Sequence, residues 1–194
     1  MSDLVIQGLN KRFGEKRVLE AYSATIRAGR VTCVMGPSGC GKTTLLHILM
    51  GLEQADSGTI TGLPERISAV FQEDRLCEDF SAVSNIRLVT GKTVSEDEIM
   101  QCLSAFGLAG SEQVPVRELS GGMKRRVAIA RAVLAEGELL ILDEPFKGLD
   151  EATREAVATE MKRRIAGRTV LMVTHDPAEA VLMDADVLEM RMIS

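Results

Sequence analysis

The chain has 194 residues, 45% of them hydrophobic and 26% charged, which suits one soluble domain, or one domain with a subdomain, around a sizeable core. Its net charge of −5 and its 3% aromatic content without Trp speak against a general nucleic-acid binder, which needs a basic surface and stacking platforms.

From the N-terminus, Met1-Ser2-Asp3-Leu4 lacks the basic and apolar regions of a secretory leader. Short runs rich in β-formers follow: Leu4-Val5-Ile6, Tyr22 to Arg27 and Val31 to Met35, punctuated by Gly8, Gly14 and Gly29. Directly after the third run stands Gly36-Pro37-Ser38-Gly39-Cys40-Gly41-Lys42-Thr43-Thr44. It reads G-x-x-x-x-G-K-T, and a helix-compatible run, Thr43 to Met50, follows it, with Gly51 as its stop. Gly58 to Gly62 reads as a short strand between turns, and Ile67 to Phe71 as a buried one.

Residues 73–135 change character. Ser81 to Val89 reads as a helix. Ser95-Glu96-Asp97-Glu98 is a capping box that opens a helix to about Phe106. Gly121 to Ala135 is a strong helical run. This stretch reads as a helical insertion into an α/β sheet domain made of residues 1–72 and 136–194. The sheet pattern resumes with Leu139 to Leu142, a continuous apolar run suited to a strand buried on both faces. Glu151 to Ile165 is helical, Thr169 to Val173 is another buried strand, and Asp176-Pro177 reads as an N-cap with proline at the first helical position, opening a helix to about Met183. Val187 to Met192 closes the chain as a strand. No apolar run approaches the roughly 18 residues of a membrane span. Cys33, Cys40, Cys77 and Cys102 form no C-x-x-C and do not cluster with His47 or His175, so neither a metal-thiolate site nor a disulfide framework is indicated, and a cytosolic setting is expected.

The chemistry starts from the glycine-rich loop. Glycines let successive backbone N–H groups turn inward around phosphate oxygens, and the helix that starts there adds its positive end. Lys42 can reach the β- and γ-phosphates of a nucleoside triphosphate, and the Thr43 hydroxyl can ligate Mg²⁺. Leu139 to Leu142 ends in Asp143-Glu144, at the strand end where open parallel sheets bind ligands. Asp143 suits the metal and Glu144 suits a base that polarises water. His175 follows the strand Thr169 to Val173 and falls on the same rim. Cys40, beside a helix N-terminus and Lys42, is expected to be a nucleophilic thiol that maleimides label and ATP protects.

Leu119-Ser120-Gly121-Gly122-Met123 is the most specific piece, a Ser-Gly-Gly at a helix start. With it the sequence resembles the ATP-binding-cassette (ABC) ATPases over essentially its whole length, and LSGG is their signature. The resemblance implies a phosphate-loop NTPase fold with a mainly parallel core sheet, an N-terminal antiparallel β subdomain and a helical subdomain. It implies that Phe13 stacks on adenine beside Val18, that Gly36 to Thr44 wraps the phosphates, and that Gln72 touches Mg²⁺ and the lytic water. Ser120, Gly121 and Gly122 would bind the nucleotide held by a second subunit in a head-to-tail dimer. Asp150 would lie at the dimer seam and His175 would be the switch histidine. Departures are Lys124, where the family usually has Gln nearby, and Phe13 in place of the commoner Tyr. The implied function is the ATPase of a transporter, most like bacterial importers of the nitrate, sulfonate and taurine type. Its partners would be separate membrane permease subunits and a solute-binding protein, at the cytoplasmic face of the membrane. Alternatives are an exporter or lipoprotein-release ATPase, or a soluble ABC protein outside transport.

Overall fold

Alternation along the first strands builds a small antiparallel sheet. In a computed structural model that describes residues 2–193, β1 (Leu4–Phe13) and β2 (Lys16–Ile26) form a hairpin, and β4 (Ser57–Thr61) pairs with the other side of β1. Met1 and Ser194, the ends of the expected domain, lie outside the described residues, and with Met1 the first residue of the leader argument. Both hairpin strands run far beyond the Leu4–Ile6 and Tyr22–Arg27 runs. Register shifts between Ile6 and Leu9, Leu9 and Lys11, and Lys11 and Arg12 break the two-residue period there, so polar residues fall on both faces and the strand signal fades.

The second sheet is parallel throughout, in the order β5-β6-β7-β3-β8. Its strands are β3 (Val31–Met35), β5 (Ile67–Val70), β6 (Leu139–Asp143), β7 (Thr169–Val173) and β8 (Asp186–Glu189). Every residue of β6 and β7 is buried, which explains the continuous apolar runs Leu139 to Leu142 and Val170 to Val173 within them. Successive side chains nevertheless serve different cores. Leu139, Ile141, Leu171 and Val173 join Leu4, Ile6 and Leu9 of β1 and Leu45, Leu46 and Leu49 of α1 (Lys42–Leu49). Leu140, Leu142, Val170 and Met172 face the opposite way, against the remaining helices. β8 is shorter than the expected Val187–Met192. The Met190 amide still donates to the Met35 carbonyl (2.7 Å), but β3 ends at Met35 and leaves the following residues nothing to pair with.

Serine opens three helices in the central stretch. Ser81, Ser95 and Ser120 cap α2 (Ala82–Thr90), α3 (Glu96–Ala105) and α4 (Gly121–Leu134), their hydroxyls accepting from the amides of Ser84, Glu98 and Met123. Only half of the expected capping box forms, because Glu98 does not return a bond to the Ser95 amide. A 3₁₀ turn (Val116–Glu118) precedes α4. Helix α1 stops in a Schellman motif at Gly51, with Leu52 and Gly51 amides donating to the carbonyls of His47 and Ile48. The apolar faces of α2, α3 and α4 share one cluster with the sheet and with α5 (Glu151–Arg164), so the helical stretch is fused to the sheet core. Helix α6 (Pro177–Leu182) begins as expected, Asp176 accepting from the Ala178 amide.

Candidate active site

All parallel strands end on one rim. From there Gly36 leaves β3, Phe71-Gln72 leaves β5, Asp143-Glu144 closes β6 and Thr174-His175 leaves β7. A cleft of about 570 Å³ opens on this rim, lined by Phe13, Val18, Ser38, Gly39, Gly41, Lys42, Thr43, Thr44, Gln72, Asp143, Glu144 and His175, together with Lys16 and Val173. Topology thus gathers the residues singled out in five separate stretches of sequence.

The loop from Gly36 to Thr44 needs its glycines for two different reasons. Gly41, which caps α1, has φ 103, and a Cβ there would lie 2.7 Å from the Val18 carbonyl oxygen. A Cβ on Gly36 would lie 2.2 Å from the Met190 carbonyl oxygen. Gly41 answers both a backbone conformation and a close approach, Gly36 the close approach of two segments alone. The Lys42 ammonium arches over the loop and donates to the carbonyls of Gly36 (2.6 Å) and Pro37 (3.0 Å). Gly36, Pro37 and Cys40 do not line the cleft. The Cys40 side chain turns away from it into the core beside Leu19 and Met190, 3% exposed. Burial corrects the expectation of a reactive thiol. The helix start and Lys42 are indeed adjacent, with Lys42 Nζ 3.9 Å from the sulfur, but little of the side chain is open to a reagent.

Asp143 is buried, and desolvation pushes its carboxyl up, reinforced by the neighbouring Glu144 charge and opposed by Arg125, His47 and Lys42. A cation placed against it would reverse that penalty. Thr43, Gln72 and Asp143 together offer oxygen donors, the chemistry that Mg²⁺ prefers. Glu144 has a left-handed backbone, φ 49, and its amide donates to the Val173 carbonyl (2.9 Å). Its two carboxylate oxygens lie 2.9 and 3.0 Å from His175 Nδ1. That contact raises the imidazole above its ordinary 6.5 although the side chain is 78% exposed. Thr174 Oγ1 donates to buried Glu179 (2.5 Å) and lies 3.5 Å from Glu144. The Glu144 carboxylate is thus approached from two sides, with a face left toward the cleft.

Phe13 forms the opposite wall with Val18, its ring 48% exposed. Lys11 Nζ stands 4.9 Å from the ring centroid and is held by Glu53 (2.8 Å). Ser120, Gly121 and Gly122 do not line the cleft. Gly122 instead packs near Gly148 and Leu149. Asp150 accepts from the Thr153 amide (2.9 Å) as the cap of α5, a role that needs no second subunit. Lys124 pairs with Glu78 (3.3 Å). Of the apolar side chains between Glu73 and Ser84, Val83 is buried and Leu76 packs on the core, whereas Phe80 is exposed together with Leu88 and Val89 of α2.

Several site residues escaped the sequence. Lys16 lines the cleft because the tight turn at Gly14 sets it opposite Phe13, a pairing hidden while the hairpin itself was unseen. Thr174 and Glu179 carried a weak signal, their adjacency to His175. Arg125 carried none, being one cation in the run Lys124-Arg125-Arg126, yet it is 3% exposed.

The ABC transporter family profile matches residues 19–147. Aliphatic sulfonates import ATP-binding protein SsuB 2 of Paraburkholderia xenovorans is 42% identical over 188 residues, spanning 96% of this chain and 76% of its own length. SsuB 1 of Rhodococcus jostii is 40% identical over 195 residues, spanning 96% and 77% respectively. Among solved structures, the dimeric structure of a bacterial ABC transporter cassette superposes with a TM-score of 0.84 at 25% identity, covering 97% of this chain and 94% of that one.

Proposed function

The chain belongs to the ABC transporter family as an ATP-binding subunit that hydrolyses ATP, and on that premise we propose that two copies close around ATP to power an importer through separate membrane permease subunits. The relatives named above are import ATP-binding proteins for aliphatic sulfonates, and a sulfonate, delivered by a solute-binding protein, is the cargo class this favours. No described helix is long and apolar enough to cross a membrane, so the membrane path belongs to the permease. The chain sits against it at the cytoplasmic face, and exposed Phe80 and Leu88 offer a docking surface.

The observation that carries the enzymatic assignment is Glu144 on the rim of the phosphate-loop cleft, its carboxylate in contact with His175. Phe13 and Val18 flank the adenine. The backbone amides from Ser38 to Thr44, with Lys42, hold the phosphates. Thr43, Gln72 and Asp143 would hold Mg²⁺, which when bound would supply positive charge to the phosphate oxygens. Gln72 and His175 orient the attacking water, and Glu144 accepts its proton. Ser120, Gly121 and Gly122 serve the partner's nucleotide.

Glu144→Gln tests this directly. Turnover is expected to fall about 10²- to 10⁴-fold, the usual worth of a general base, while binding of a fluorescent ATP analogue persists. A variant that still hydrolyses at the wild-type rate would remove Glu144 from the role.

A further inference from the structure

Arg125 lies on α4, five residues beyond the Ser120 cap. Its guanidinium is buried, and every one of its five N–H groups has a separate acceptor. Nε donates to the Pro145 carbonyl (2.9 Å). Nη1 donates to the Phe71 carbonyl (2.6 Å) and to the Asp74 carboxylate (3.1 Å). Nη2 donates to the carbonyls of Asp143 (2.7 Å) and Glu144 (2.5 Å). A guanidinium out of water is tolerated only when its donors are satisfied. Here four of the five go to backbone, two to the cleft residues Asp143 and Glu144 and two to Phe71 and Pro145, each next to a cleft residue. Three are the consecutive carbonyls of residues 143, 144 and 145, on either side of a non-glycine residue held at φ 49. Such a conformation persists only where its surroundings over-determine it. The fourth is the carbonyl that immediately precedes Gln72.

We propose that Arg125 is a positioning residue for hydrolysis, its planar fork fixing the strained backbone of Glu144 and the root of the Gln72 loop to one helix, the helix whose N-terminus is Ser120-Gly121-Gly122. The carboxylate and the glutamine then keep one spacing across the cleft, and a shift of α4 moves both. Arg131, farther along the same helix, donates to the carbonyls of Asp74 and Arg75 (3.0 and 2.8 Å), so the first part of the loop after Gln72, up to Arg75, is held by α4. A lysine in place of Arg125 has the charge but no fork, and its three donors cannot span carbonyls on two separate segments.

The assignment rests on Glu144 as the base, and the test separates the two. In Arg125→Lys and Arg125→Gln of the full chain, kcat is expected to fall about 10- to 100-fold, as a slight misplacement of catalytic groups does, with the KM for ATP and the affinity for a fluorescent ATP analogue nearly unchanged. Hydrogen exchange is expected to quicken at the Glu144 amide and in residues 71–75 while α1 keeps its protection. Arg168→Lys is the control. Arg168 is a partly buried arginine bonded to the Val133 and Gly137 carbonyls, away from the cleft, and its kcat should hold. Glu144→Gln should stop turnover without quickening exchange. If it does not, the base assignment fails by itself. Asp74→Asn weakens the same anchor without disturbing the core, and should lower kcat severalfold at constant KM. Wild-type kcat in Arg125→Lys or in Asp74→Asn, loss of ATP affinity in step with kcat, or faster exchange spread evenly over the chain would each overturn the proposal.

Discussion

Glu144, the proposed base, shows how much of a site residue is decided outside its side chain. Its carboxylate meets His175 Nδ1 at 2.9 Å, while its backbone is held from α4 and β7. The pair has a definite pH signature. The Glu144 contact raises the His175 pKa above 6.5, so the charged imidazole is favoured in the folded protein. Its contribution to stability is complete below about pH 6.5, the unfolded value, and is lost as the pH rises through the raised folded value. With His47 the only other histidine, NMR titration can follow His175 alone. It is expected to titrate above 6.5 and to return toward that value in Glu144→Gln. An unmoved midpoint in the variant would disconnect the two groups. The identities of Lys42, Asp143, Glu144 and His175 were legible because strand ends and motif spacing mark them. The fate of Cys40 was not. Spacing places its Cα in the phosphate loop, and only packing reveals that its sulfur faces the core.

Element boundaries were legible where local chemistry sets them. Serine caps and Gly51 punctuate the helices, and the continuous apolar runs of β6 and β7 mark buried strands. They were illegible where register shifts mix the faces of β1 and β2. The loop after β5 is a third case, since its shape comes from side chains distant in sequence. Lys124, Arg125 and Arg131 of α4 reach Glu78, the Phe71–Asp74 segment and Arg75. From the other side Asn85 of α2, fully buried, accepts from the Cys77 amide (2.8 Å) and donates to the carbonyls of Cys77, Phe80 and Ser81. Asn85→Ala removes the partner of the Cys77 amide, while the Cys77, Phe80 and Ser81 carbonyls keep the amides of Phe80, Val116 and residue 85, and unfolding in urea should show a loss of roughly 1–3 kcal/mol. A loss below about 0.5 kcal/mol, the size of an ordinary surface change, would mean that solvent reaches the loop.

At the scale of the molecule, the phosphate loop, Gln72, Glu144 and His175 share one cleft, while Ser120 to Gly122 stand outside it. The proposed function therefore has a sharp consequence. Ser120→Arg should leave ATP binding by the isolated monomer intact and abolish hydrolysis, because the signature would act on the partner's nucleotide. Loss of monomer binding in that variant would refute a shared site. By itself the sequence determined the family resemblance, the α/β class, the phosphate loop, the paired carboxylates and the signature, because each is a short run whose spacing already dictates its local geometry. Only the tertiary structure decided which of these share a cleft, that Cys40 is buried and that Arg125 bonds the Asp143–Pro145 and Phe71 segments to one helix. Burial and hydrogen bonding between segments tens of residues apart depend on strand order and helix packing, and no local pattern records them.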